Sequence, residues 1–222
     1  MGRSLIGVAL FLGLVRIASL EPAARIAIDY PLDESVFPAD FAAPQFEWRD
    51  VAGAARDWRI EVTFSSGAAR LEFASKGEPP QLGELDERAV GPTNERPGPR
   101  TGVHAWRPDT QAWAAIRRGS MEANATVTIT GYAGEQAVSR GQMTLRTSRD
   151  PVGAPIFYRD VPLMPSELKP GIIKPLAKAA IPLVGWRLRD VSRPDSRLLV
   201  EGLHMCANCH SFSRDGKTLG IE

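Results

Sequence analysis

The sequence lacks the features that would assign a function directly. Basic residues number 27 against 26 acidic ones and are scattered along the chain, which excludes the concentrated positive patch of a nucleic-acid surface. No phosphate-binding loop, Ser/His/Asp spacing or paired-carboxylate motif stands out, so no catalytic residue is predicted. Nucleic acid is therefore not an expected partner, and an enzyme is the least supported class of function.

The longest apolar run is too short to cross a membrane. It extends over eleven residues from Leu5 to Val15, whereas a membrane-spanning helix needs about 20. Arg3 precedes it and small residues follow it, as in a secretory signal. We expect residues 1–20 to be a signal peptide or N-terminal anchor of a protein exported to the periplasm or cell envelope. The possible cleavage sites are imperfect, so the segment can also remain as a membrane tether; a buried first strand or helix is the alternative.

Turn-forming residues are abundant, and helix-compatible stretches are short. The 18 prolines and 20 glycines favour strands joined by turns, so the predicted fold class is all-β. Residues 25–150 are predicted to form one immunoglobulin-like or fibronectin-like β-sandwich. Its clearest strand signals are residues 58–64, whose apolar side chains alternate, and residues 71–73, 126–132 and 142–147.

Other parts of the predicted sandwich are less regular. Between Lys76 and Arg107 proline, glycine and charged residues dominate, which predicts a long exposed loop. Residues 111–118 are compatible with a short helix. Packing is the expected role of four tryptophans, Trp48, Trp58, Trp106 and Trp113.

The character of the chain changes after residue 150. Prolines punctuate residues 151–203, which we interpret as a connector that contains two short strands, near residues 186–191 and 197–201. We therefore place a domain boundary near residue 150.

One short motif carries specific chemistry. Cys206, Cys209 and His210 form a Cys-x-x-Cys-His sequence, and they include both cysteines of the chain. In c-type haem attachment, two thiols at this spacing bond to the two vinyl groups of haem, and the adjacent histidine ligates the iron. The motif predicts one covalently attached haem c, with Cys206 and Cys209 as anchors and His210 as the metal ligand. The expected export of the chain agrees with this chemistry.

Three alternatives to haem remain open for this motif. A structural zinc site needs four ligands, and outside the motif only His104 and His204 could add to it. A redox-active pair of the thioredoxin type would open a helix, whereas the residues after His210 have the composition of a strand and turn. A plain disulfide between the two cysteines is the third alternative.

A sixth ligand for the haem iron is not evident. Only 12 residues follow His210, and none of them is a good ligand. The ligand would come from upstream, from another chain or from sequence that is missing. Packing is the expected role of each methionine among the upstream candidates, which are Met121, Met143, Met164, His104 and His204.

The residues that follow the motif resemble a known family. The stretch from Cys206 to Leu219 is similar to bacterial exported proteins in which a haem-type Cys-x-x-Cys-His leads into a TolB-like or WD40-like β-propeller repeat. Residues 212–219 resemble the Phe-Ser-Pro-Asp-Gly-Lys turn of that repeat, with Arg214 in place of proline. The resemblance implies that residues 204–222 contain the haem-attachment motif and the start of a truncated propeller repeat.

Two functions of different classes follow from these observations. The first is an exported electron-transfer module that binds one covalent haem and exchanges electrons with a redox partner protein, which the sequence does not identify. The second is an interaction or scaffold protein, in which the sandwich binds another molecule and the cysteine pair is incidental.

Overall fold

The computed structural model describes residues 24–83, 98–161, 176, 178–204 and 209–221. The predicted signal or anchor over residues 1–20 lies outside this part of the chain. Among the described residues before 150 there are eight strands and one helix, in chain order β1 (Ala24–Tyr30), β2 (Ser35–Phe37), β3 (Phe46–Asp50), β4 (Asp57–Phe64), β5 (Leu71–Ser75), β6 (Val103–Trp106), α1 (Thr110–Gly119), β7 (Ala125–Ala133) and β8 (Gln136–Thr147). The all-β prediction is confirmed.

These eight strands form one curled sheet in the order β5-β4-β7-β8-β1-β3-β6, and β2 also pairs with β8. Strand β1 lies antiparallel to β3 but pairs in parallel with β8 at only two positions. This short parallel pairing joins two halves, β1-β3-β6 and β5-β4-β7-β8. The neighbours in each half match those of the A-B-E and C-F-G strands of an immunoglobulin sandwich.

The two halves bury one hydrophobic core. Alternation in β4 places Trp58, Ile60 and Val62 inside, at no more than 4% exposure. Phe46 and Trp48 come from β3 in the opposite half and are fully buried. Trp113 of α1 is also buried, so three of the four tryptophans assigned to packing lie in the core and Trp106 packs against its edge.

A polar contact is enclosed where the two halves meet. Asp50 at the end of β3 accepts hydrogen bonds through Oδ2 from Trp58 Nε1 (3.1 Å) and Ser139 Oγ (2.5 Å). Gly131 lies against this group, and a Cβ atom there would come within 2.7 Å of Asp50 Oδ2. The absence of a side chain at residue 131 therefore allows the aspartate, the tryptophan and the serine to meet.

The helix predicted at residues 111–118 is confirmed as α1, and local sequence explains its limits. Asp109 caps its first turn by accepting a hydrogen bond from Ala112 N (2.7 Å). The hydroxyl of Ser120 donates to Ile116 O (2.8 Å) at its end. Trp113 joins the helix to the sandwich, because its Nε1 donates to Phe41 O (2.7 Å).

The prediction of one long loop between Lys76 and Arg107 is wrong at its C-terminal end. Strand β6 begins at Val103 and pairs antiparallel with β3, and Glu78 forms an isolated bridge with Ala105. This four-residue strand is determined by its pairing with β3. The prolines and glycines that precede it in the sequence did not predict a strand. The central part of the predicted loop, residues 84–97, lies outside the described residues.

In the described segments after residue 150 there are five further strands, and a 3-10 helix at Lys178–Leu183 precedes the second of them. They are β9 (Ile156–Asp160), β10 (Gly185–Arg189), β11 (Arg197–Val200), β12 (His210–Phe212) and β13 (Leu219–Ile221). The two strands expected in the connector are present as β10 and β11, and β9 is a further strand that was not predicted. Strands β9, β10 and β11 form a three-stranded antiparallel sheet, and β12 pairs with β13. The domain boundary near residue 150 stays a prediction.

Strands β9–β13 and the residues that join them form what we call the motif region, and hydrogen bonds link this part of the chain to the sandwich. Ala42 N donates to Val191 O (2.8 Å), and Val152 N donates to Asp40 Oδ1 (3.0 Å). Across the described parts of the chain, no helix is both long enough and apolar enough to cross a membrane.

Candidate functional site

The structure describes two of the three motif residues. Cys209 is exposed and immediately precedes β12, and His210 is the first residue of that strand. The His210 side chain is also exposed. Cys206 lies outside the described residues.

His210 belongs to a tight hairpin. In the pairing of β12 with β13, His210 lies opposite Ile221 and Phe212 lies opposite Leu219. The turn between the strands includes Gly216, whose φ of 67° is costly for other residues. The expectation that a strand and turn follow His210 is confirmed. A thioredoxin-type pair would instead open a helix at this position.

The carboxylate of one residue stabilises the turn. Asp215 Oδ1 accepts hydrogen bonds from Ser213 Oγ (2.6 Å) and Lys217 N (3.2 Å). The bond from Ser213 and then the bond from the Lys217 backbone hold the pKa of Asp215 below its ordinary value of 3.8. Ser213 Oγ also accepts from Thr218 N (3.0 Å), so the serine and aspartate together hold both ends of the turn.

The hairpin packs its rings on the three-stranded sheet. We call Phe157, Trp186, His210 and Phe212 the aromatic cluster. The centroid of the His210 ring lies 4.8 Å from that of Phe157 and 6.1 Å from that of Trp186. Phe157 and Trp186 are stacked at 5.6 Å with an interplanar angle of 8°. Phe212 meets Phe157 edge-on at 5.2 Å.

Strand register explains why these rings share one face. Trp186 pairs with Arg159 and Leu188 pairs with Phe157, so these four side chains project from the same side of the sheet. The Arg159 guanidinium lies 5.8 Å from the Trp186 ring centroid, at cation–π distance. Trp186 is only 2% exposed because its neighbours cover it. The aromatic cluster was not predicted from the sequence, because its members come from three separate strands.

The imidazole of His210 is open to a ligand. Among the described residues, neither ring nitrogen has a hydrogen-bond partner, and the side chain is exposed. Phe212 beside it is 45% exposed and offers apolar surface. A haem needs one imidazole nitrogen for its iron and apolar contacts for its ring, and both are available here. The described donor atoms therefore fit this cofactor.

The candidates for a sixth ligand lie in different surroundings. Met143 is 3% exposed in the sandwich core, as the packing prediction expected. The His104 ring lies against that of Trp58, with centroids 4.2 Å apart and planes tilted by 38°, and its Nδ1 is 3.1 Å from Gly77 O. Met121 forms a bridge with Thr147 at the end of β8. His204 is exposed, and Met164 lies outside the described residues.

The part of the chain that the structure describes contains no group of three or more His, Cys, Asp or Glu side chains placed to hold a metal ion. Comparisons with known proteins add no assignment. No family model matches the chain, and a search of the curated proteins found no match. The resemblance to exported haem proteins with a propeller stays a prediction.

Proposed function

We propose that this protein is an exported c-type cytochrome-like module that binds one covalent haem and transfers electrons. Cys206 and Cys209 would hold the porphyrin through thioether bonds, and His210 would ligate the iron. The observation that carries the proposal is the Cys-x-x-Cys-His sequence ending in an exposed imidazole, whose ring nitrogens have no hydrogen-bond partner among the described residues.

The haem would supply one-electron chemistry at its iron, and the protein would supply attachment and surroundings. His210 presents a nitrogen donor from the start of a strand whose turn is held by Asp215 and Ser213. Phe157 and Trp186 pack beside the imidazole and keep water from that side of it. The exposed ring of Phe212 is apolar surface that a porphyrin can cover.

The location and the context of the site are part of the same proposal. Residues 1–20 would direct export, and this would place the motif where haem attachment occurs. The hairpin of β12 and β13 would be the start of a propeller repeat, as its Phe-Ser-x-Asp-Gly-Lys sequence suggests. A redox partner protein would exchange electrons with the haem.

Covalent attachment is tested with protein expressed together with the cytochrome c maturation machinery. A haem stain after denaturing electrophoresis and a pyridine haemochrome spectrum compare the wild type with the Cys206→Ala, Cys209→Ala variant. We expect haem that survives denaturation in the wild type and is lost in the variant. A folded wild type without haem would overturn the proposal and favour an interaction protein with an ordinary cysteine pair.

A further inference from the structure

We propose that Phe157 is a positioning residue that fixes the orientation of the His210 imidazole toward the iron. This inference rests on the proposed function, because His210 must be the ligand. Phe157 lies on β9, 49 residues before Cys206, and nothing in the Cys-x-x-Cys-His sequence points to it.

The contact between the two rings is close and angled. Their centroids are 4.8 Å apart and their planes meet at 66°, the edge-to-face arrangement that aromatic pairs favour. In this arrangement the Phe157 ring limits rotation of the imidazole about its Cβ–Cγ bond, because turning the imidazole would drive its atoms into the neighbouring ring.

Phe157 is itself held in place on two sides. Trp186 stacks on it at 5.6 Å and is 2% exposed, so the tryptophan forms a fixed base. Phe212 meets the Phe157 ring at 5.2 Å and 89°. The pairing of Leu188 with Phe157 fixes the backbone below. A side chain enclosed in this way can transmit its position to His210.

The usual device for orienting a ligating histidine is a hydrogen bond from its second nitrogen to a carboxylate or carbonyl. Among the described residues, no such acceptor bonds to the His210 ring. The ring contact with Phe157 is therefore the closest restraint on the imidazole that the structure describes. Removing the Phe157 ring should change the surroundings of the iron while leaving the thioether attachments intact.

The first arm of the test uses haem-free protein and measures the His210 ring protons by NMR. Phe157→Leu removes the ring current and should move these resonances toward those of a free histidine, whereas Phe157→Tyr should keep them near the wild-type positions. The matched control is Phe73→Leu, which alters an aromatic pair of the sandwich, Phe73 with Trp106 at 5.1 Å. We expect that control to leave the His210 resonances unchanged.

The second arm uses the haem-loaded protein. We expect Phe157→Leu to retain covalent haem, to shift the reduction potential and to alter the visible spectrum. Phe157→Tyr should keep the reduction potential and the spectrum close to those of the wild type. Should Phe157→Leu fail to fold, Phe157→Met keeps an apolar side chain of similar volume without the ring and should move the same quantities in the same direction.

The outcomes separate this inference from the proposed function. Wild-type protein without haem overturns the proposed function. Wild-type protein with haem, together with a Phe157→Leu variant whose potential and spectrum are unchanged, overturns the positioning role alone. Unchanged His210 resonances in haem-free Phe157→Leu overturn the ring contact itself.

Discussion

The sandwich and the motif region are stabilised in different ways. Most of the buried hydrophobic side chains belong to the sandwich, where Phe46, Trp48 and Ile129 have no exposed surface. In the motif region Trp186 is buried, but Ile156 and Phe212 remain 48% and 45% exposed. The sandwich encloses a large apolar core, although Leu32 and Val51 on its surface are 69% and 77% exposed, whereas the motif region buries few apolar side chains and leaves Phe212 exposed beside His210.

The largest expected loss of unfolding free energy comes from a substitution in the sandwich core. Phe46→Ala removes a fully buried ring packed on Trp106 at 5.4 Å and should cost about 3–5 kcal/mol of unfolding free energy. Phe212→Ala in the motif region is the matched control and should cost about 1 kcal/mol or less, because the ring is half exposed. Urea unfolding followed by tryptophan fluorescence measures both. Equal losses in the two variants would contradict the contrast between the regions.

A smaller loss of unfolding free energy is expected from a substitution where the two halves of the sandwich meet. Gly131→Ala would place a Cβ atom 2.3 Å from Ser139 Oγ and 2.7 Å from Asp50 Oδ2, so the polar contact must open. Overpacking of this kind should cost about 1–3 kcal/mol in the same unfolding experiment. Gly83→Ala is the control, because nothing lies within 4 Å of its Cβ position. Equal stability of the two variants would contradict a close contact between Gly131 and the Asp50–Ser139 hydrogen bond.

The smallest effect is a pH dependence of the hairpin. The pKa of Asp215 lies below its ordinary value of 3.8, chiefly because Ser213 Oγ donates to its carboxylate. A carboxylate whose pKa is lower in the folded state than in the unfolded state stabilises the fold when the pH is above the unfolded-state pKa. This stabilisation is lost as the pH falls through the folded-state pKa. We therefore expect the Lys217 amide to lose protection from hydrogen exchange below about pH 3.8.

Asp215→Asn is the control for this titration, because its amide oxygen can accept the same hydrogen bonds without titrating. In this variant the Lys217 amide should lose little protection from hydrogen exchange at low pH. Asp33 in the sandwich also has a lowered pKa, mainly because Thr144 N donates to it, and it provides a reference in the other region. If Asp215→Asn keeps the full pH dependence of hydrogen exchange at Lys217, Asp215 is excluded as its cause.

The sequence predicted those parts of the fold that depend on local patterns. The alternation of Trp58, Ile60 and Val62 predicted β4, because one face of that strand is buried. It did not predict β6, because a strand of four residues from Val103 is determined by its pairing with β3 rather than by its own composition. Nor could it predict the parallel pairing of β1 with β8, which depends on how the sheet curls.

The same limit applies to the candidate site. The motif residues are adjacent in the sequence, so their chemistry could be predicted from spacing alone. Phe157 and Trp186 could not be assigned to the site, because their nearness to His210 depends on the β9–β10 register and on the docking of the hairpin. Alternation within each strand showed only which side chains share a face.

Intact mass spectrometry of the protein, expressed with the maturation machinery and then denatured, tests the central claim most directly. The account predicts the mass of the chain plus one haem, and after digestion the added mass should stay on the peptide that contains Cys206 and Cys209. The bare mass of the chain, in protein whose sandwich is folded by circular dichroism, would contradict the claim.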